Sequence, residues 1–200
     1  LGTLRAGDHV LFVNRTYGPT LQLAGHLGRF GITHDVCLEP EPEAVGRALR
    51  PATRLVWMEN PGTMSFRVFD VEAVSAVARE RGAVTCLDNS WATPLLQKPL
   101  DLGVDVVVHT ATKYLGGHSD LVAGAVVSSA ARIERLFYDA FLLNGAACAP
   151  WTAWLLLRAD LAAPLEARFT AEVVQACGFA EAPDVRFLQA LGRAGGPGPG

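Results

Sequence analysis

Short apolar runs alternate with amphipathic stretches through the first two thirds of the chain. The run His9-Val10-Leu11-Phe12-Val13 predicts a buried strand. Thr20 to Phe30 predicts a helix with Leu21, Leu23, Ala24 and Leu27 on one face, ended by Gly31. Asp35 to Leu38 predicts a second strand, and Glu41 to Leu49 a short helix stopped by Pro51. Further strands are expected at Arg54 to Glu59, Ala83 to Leu87 and Val104 to Val108. The helix Val71 to Arg81 lies between the first two, with Asp70 as N-cap and Gly82 as C-cap. Strands spaced by helices in this way call for a mostly parallel sheet covered on both faces. The run Leu121 to Val127 follows its predecessor too closely for a crossover helix and should pair antiparallel. Two helices close the pattern, Ala131 to Leu143 and about Pro150 to Gly178, the second broken or kinked at Pro164.

Composition narrows the class. Half of the 200 residues are hydrophobic and 18% are charged, which favours a sizeable core over disorder. A net charge of −3 gives no footprint for nucleic acid or an anionic membrane. No apolar run reaches the ~20 residues of a membrane span, and no signal peptide is evident. Leu1 to Arg5 reads as the last turn of a helix. Gly192 to Gly200 reads as a disordered Gly/Pro tail, with no domain boundary before it. Cys37, Cys86, Cys148 and Cys177 lack metal-ligand spacing, so no metal site is expected. Cys37 and Cys86 should be small buried hydrophobes in a reducing compartment.

Chemistry should sit just past the carboxyl ends of the strands. Lys113 follows the apolar segment Val104 to His109, inside Thr110-Ala-Thr-Lys113-Tyr-Leu-Gly-Gly-His-Ser-Asp120. An amine so placed, among hydroxyls and glycines, suits a covalently held aldehyde cofactor, and equally a surface loop. Asp88 follows its own strand. It can pair with a protonated ring nitrogen or cap an Asx-turn. Tyr17 can stack on a planar group or rest half-buried in its loop. Thr110 and Thr112 can bind phosphate oxygens. Glu59-Asn60-Pro61-Gly62-Thr63 can contact a ligand or form an ordinary Pro-Gly turn. His118 is read as structural. Neither a Walker A pattern nor G-x-G-x-x-G is present.

Asp88-Asn-Ser-Trp-Ala-Thr-Pro94 and His109-Thr-Ala-Thr-Lys113-Tyr-Leu-Gly-Gly-His-Ser-Asp120 closely resemble the pyridoxal-phosphate enzymes of Cys/Met metabolism. Arg5 to Leu11, Thr16 to Thr20, Glu59-Asn-Pro61 and Leu155 to Arg158 fit the same pattern. The resemblance implies a three-layer α/β/α domain of the aspartate-aminotransferase-like type, fold type I, over residues 1–191. It implies pyridoxal 5'-phosphate as cofactor, with Lys113 as Schiff-base lysine and proton shuttle. Asp88 would be the partner of the pyridine nitrogen. Tyr17 would be the stacked ring with a share in proton transfer, and Thr110 and Thr112 the phosphate hydroxyls. Proton abstraction would need a neutral Lys113, which burial and cationic neighbours would favour.

Family members are longer. Their N-terminal segment supplies part of the phosphate cradle and their C-terminal domain an arginine for the substrate carboxylate, so this stretch is expected to be the central cofactor-binding domain. The implied activity is carbon–sulfur β-elimination on cystathionine or cysteine S-conjugates, in a cytoplasmic homodimer or homotetramer. Thr63, where many γ-acting relatives carry asparagine, and Trp91 favour this branch. The alternatives are γ-synthase or γ-lyase chemistry, and a catalytically silent domain.

Overall fold

The computed structural model describes residues 2–145 and 147–158. A six-stranded sheet forms the middle layer, in the order β2-β1-β3-β4-β5-β6. Its strands are β1 His9–Val13, β2 Thr33–Cys37, β3 Thr53–Glu59, β4 Val84–Asp88, β5 Val106–Thr110 and β6 Gly124–Ser128. The first five pair in parallel, and β6 runs antiparallel to β5. From β1 the chain moves outward to β2 and then returns to place β3 on the other side. The β1/β3 boundary is therefore the crevice where sheets of this kind bind ligands.

β1 is central and buried at every position, as a parallel strand covered on both faces requires. Its side chains alternate between two cores. Leu11 and Val13 join Val56, Met58, Leu87 and Val107 beneath the helices α2 Pro42–Ala48 and α3 Val71–Glu80. Val10 and Phe12 pack with Ala24, Leu27 and Ile32 under α1 Gly18–Leu27. Asp70 caps α3, its Oδ1 accepting the Ala73 N–H at 2.9 Å. Val71, Val74 and Ala78 turn inward from that helix at helical spacing. The α/β architecture and the antiparallel last strand agree with the pattern read from the sequence.

Other expectations are corrected. Gly2 and Thr3 form a turn, not a helix end. The Arg5 N–H bonds to Asp8 Oδ2 at 2.7 Å and the Gly7 N–H to Gly31, so the segment feeds straight into β1. Leu23 is exposed because the sheet-facing stripe of α1 runs through Leu21, Ala24 and Leu27. Cys37 is only half-buried because β2 is an edge strand, whereas Cys86 is buried. β5 starts two residues later than expected, because Asp105 instead braces the loop by exchanging hydrogen bonds with Thr85. The helix expected over Ala131 to Leu143 is α5 Ala130–Leu136, a wider turn Phe137–Phe141 and α6 Leu142–Asn144, closed by Gly145 in the left-handed region. A short α4, Thr93–Leu96, was not legible. α7 spans Pro150–Arg158. The expected continuation to Gly178, Cys177 and the tail lie outside the described residues.

Leu11 is completely buried between β1's neighbours and the α2/α3 layer. Leu11→Ala should cost about 2–5 kcal/mol through lost transfer energy and the cavity left behind. Denaturant unfolding measures this, and a loss well under 1 kcal/mol would contradict the packing described.

Candidate functional site

Parallel register brings the strand ends level. Glu59, the last residue of β3, is the register partner of Asp88, the last residue of β4, and Asp88 pairs with Val108 of β5. Neighbouring register partners point to the same face of a sheet. Both carboxylates therefore lie on the face that carries Phe12, Trp57 and α1. The face opposite carries Val107 and, two residues on, His109.

Beyond β5 the chain enters a wide helical turn, Ala111–Leu115, and leaves helical geometry at Lys113 (φ −94°, ψ −111°). Gly116 closes the turn, where a Cβ would come within 2.7 Å of the Ala111 carbonyl. The Lys113 Nζ stands 5.6 Å from the centroid of the Tyr17 ring, within reach for a cation–π contact. Tyr17 arrives from β1 and is half-exposed, at 51%. Its backbone N–H donates to Glu59 Oε2 at 2.8 Å, while the Thr63 hydroxyl donates to Glu59 Oε1.

Burial pushes the Glu59 carboxyl up from its ordinary value. The hydrogen bonds from Thr63 and Tyr17 oppose this, Asp88 adds to it, and Lys113 counters it. Glu59 thus feels both the amine and the second carboxylate. Lys98, the other of the chain's two lysines, lies on the loop lining a separate cavity of about 250 Å³ with Val107, His109 and Val127.

The loops are fixed from behind. Asn14, buried with φ +72°, donates through Nδ2 to the Glu59 carbonyl (3.1 Å) and the Arg67 carbonyl (2.9 Å). Gly62 approaches the Asn14 amide so closely that a Cβ would meet it at 2.5 Å. Asn60 and Asn89 each follow one of the two carboxylates, and Gln97 ties them together. Asn60 Nδ2 donates to Gln97 Oε1 (3.1 Å), and Gln97 Nε2 donates to Asn89 Oδ1 (3.0 Å). Such a chain of buried, satisfied amides is rigid. Sequence reading missed Asn14, Asn60, Asn89 and Gln97 as anchors. For Asn14, Asn60 and Asn89 the only signal was a polar residue directly after a buried strand, and Gln97, just past α4, gave none.

Each residue singled out from the sequence can now be placed. Lys113, Tyr17 and Asp88 converge on the same strand ends around Glu59. Asp88 Oδ1 accepts the Ser90 N–H (3.0 Å), and its second oxygen makes no hydrogen bond among the described residues. The Thr110 N–H donates to Ser90 Oγ (2.6 Å), placing that residue beside the Asp88 loop. Thr112 is different: its hydroxyl donates to the Ala123 carbonyl (3.2 Å) and accepts the Ala123 N–H (3.1 Å). It staples the lysine turn to the segment before β6. The expected burial of Lys113 is not found. The residue is exposed, and the charges that Glu59 feels include Asp88 and Lys113 itself. His118 bonds locally, through Nδ1 to the Gly116 carbonyl (3.0 Å). His109 is buried, which lowers its pKa, with Asp88 and an Asn89 backbone bond acting oppositely. Among the described residues no cluster of ligands could hold a metal ion.

The family model for Cys/Met metabolism PLP-dependent enzymes matches residues 1–181. The chain belongs to this family. It is 42% identical over 159 residues to a probable cystathionine gamma-synthase of Herpetosiphon aurantiacus, covering 78% of this chain and 49% of that protein. It is 39% identical over 156 residues to cystathionine beta-lyase MetC of Bacillus subtilis (strain 168), covering 78% and 40%. Its structure resembles the crystal structure of cystathionine gamma-lyase from Lactobacillus plantarum complexed with L-serine, with a TM-score of 0.79. There the identity is 30% and the match covers 94% of this chain and 54% of that one. The chain spans about half the length or less of the curated relatives it matches.

The family depends on pyridoxal phosphate, and the residues present fit that group. An amine and an aromatic ring stand together at the strand ends, with a carboxylate oxygen left unpaired beside them. The carboxylate corner has a pH signature of its own. Glu59 is held above its ordinary value of 4.5, so the folded chain binds this proton more tightly than the unfolded chain. That stabilisation is complete below the ordinary value and is lost as pH rises through the folded-state value. Glu59→Gln can keep both hydrogen bonds without the charge. It should raise the melting temperature about 2–4 °C more at about pH 8 than at about pH 5. Equal shifts at both pH values would contradict the raised carboxyl.

Proposed function

We propose that this chain is the cofactor-binding large domain, residues 1–191, of a carbon–sulfur lyase. It would cleave cystathionine or a related cysteine S-conjugate at the β-carbon, giving a thiol, pyruvate and ammonia. The observation that carries the β assignment is at Thr63, where many γ-acting relatives carry asparagine. Its hydroxyl is committed to Glu59, inside the same corner as Tyr17, Asp88 and Lys113. Trp91 supports the same branch and packs edge-on against Phe66 at 6.4 Å.

Pyridoxal phosphate, when bound, supplies an electron sink for charge developing at the substrate α-carbon. The amine of Lys113 would hold the cofactor and afterwards take the α-proton. Asp88 would hold a positive ring nitrogen through its unpaired oxygen. Tyr17 would stack on the ring plane and keep its hydroxyl near the Lys113 amine. Thr110 would bind a phosphate oxygen, and Thr112 would join it on releasing Ala123.

The whole protein would act on small amino-acid substrates as a cytoplasmic homo-oligomer. Among the described residues no helix is long and apolar enough to cross a membrane.

Incubation with pyridoxal phosphate should give the protein a visible absorbance band that Lys113→Ala abolishes. Absence of the band in the unaltered protein would overturn the cofactor site. With the whole protein and cystathionine, the β reading expects homocysteine and pyruvate. Cysteine and 2-oxobutyrate would replace it with γ-elimination.

A further inference from the structure

Glu59 has no part in the chemistry just described, yet it bonds to Asn14, Tyr17 and Thr63 and feels the charges of Asp88 and Lys113. Its carbonyl is pinned by Asn14 Nδ2 at 3.1 Å, so the end of β3 is fixed before its side chain is considered. One carboxylate oxygen takes the Thr63 hydroxyl and the other takes the Tyr17 backbone N–H. Tyr17 is the N-cap residue of α1, and its own side chain makes no cap hydrogen bond. The first turn of α1 contains no acidic residue, so Glu59 brings a carboxylate to that positive helix end from a neighbouring strand. The ring that follows from this backbone position stands 5.6 Å from the Lys113 amine.

We propose that Glu59 is a positioning residue: by gripping the Tyr17 backbone from the end of β3, it sets the Tyr17 ring beside Lys113 and presents it to the cofactor. A half-exposed tyrosine on a loop samples several orientations unless its backbone is tied to a rigid element. The Asn14-braced end of β3 is that element, and the Glu59 side chain ties the Tyr17 N–H to it, while the Tyr17 carbonyl starts α1 by accepting the Thr20 N–H at 3.0 Å. Thr63 takes up the second carboxylate oxygen and leaves Glu59 one free direction, toward Tyr17. The other charged groups facing Glu59 are Asp88 from β4 and Lys113 from the turn after β5. The consequence for the cofactor rests on the reading given under Proposed function, whereas the tie itself does not.

Two readouts on the 200-residue chain separate these. The first is deuterium exchange of the Tyr17 amide without cofactor. Glu59→Ala should speed it at least about tenfold, the effect of losing one charge-assisted hydrogen bond. Leu87 and Asp88 on β4 should stay protected. Glu59→Gln, which keeps an acceptor for the Tyr17 N–H, should restore slow exchange. The second is affinity for pyridoxal phosphate by equilibrium dialysis. Glu59→Ala should weaken it about tenfold in the unaltered background and less than about twofold when Tyr17 is already alanine. Unchanged Tyr17 exchange in Glu59→Ala would overturn the proposal. So would equal acceleration across β4, or an equal loss of affinity in both backgrounds. If the unaltered chain takes up no pyridoxal phosphate, the functional reading fails, and the Tyr17 amide alone decides the role of Glu59.

Discussion

Parallel register at the carboxyl edge of the sheet is the constraint from which the site follows. Pairing Trp57 with Cys86 and Glu59 with Asp88 sets two carboxylates side by side on one face. Pairing Asp88 with Val108 then brings the next strand, and the lysine turn beyond it, to the same level. A slip of one residue would turn every one of these side chains to the other face. The buried runs of β1 and β3 prevent that slip, because each places alternate residues in two separate apolar cores.

Two carboxylates at adjacent strand ends repel each other. The fold offsets this with donors and one cation. Tyr17 and Thr63 donate to Glu59, Ser90 donates to Asp88, and Lys113 lowers what burial and Asp88 raise. On the opposite side of the strand ends, neutral amides do the holding. The link Asn60–Gln97–Asn89 fixes the residue after each carboxylate, and Asn14 fixes the β3 carbonyl. Asn60 and Asn89 turn away from the carboxylates they follow because of the two-residue period of the strand. Rigidity comes from one side and chemistry faces out on the other. Cys86, two residues before Asp88, stays a buried thiol because burial and Asp88 both raise its pKa.

Much of this was legible in advance, wherever hydrophobic period and chain punctuation agreed. His9 to Val13 was read to the residue, and so was the Asp70 cap of α3. The resemblance around Lys113 and the Asp88 loop agrees with the family that the chain matches. What escaped depends on contacts distant in sequence. No local pattern reveals that Leu23 falls one step outside the packed stripe of α1, or that Cys37 stands on an edge. Thr112 could not be seen as a staple without knowing that Ala123 comes back beside it. Burial of Lys113 was expected from the chemistry it would perform. In the folded chain the residue is exposed. Glu59 was noted only within a segment that could contact a ligand or form an ordinary turn, because its partners Tyr17, Asp88 and Lys113 come from three other strands.

The central claim is that the amine after β5, and no other, meets the cofactor at these strand ends. The chain has two lysines, which makes the claim sharp. Borohydride reduction of the protein loaded with pyridoxal phosphate, followed by peptide mass mapping, tests it most directly. The account predicts a phosphopyridoxyl group on Lys113 and an unmodified Lys98. A tag on Lys98, or on neither lysine, would contradict it.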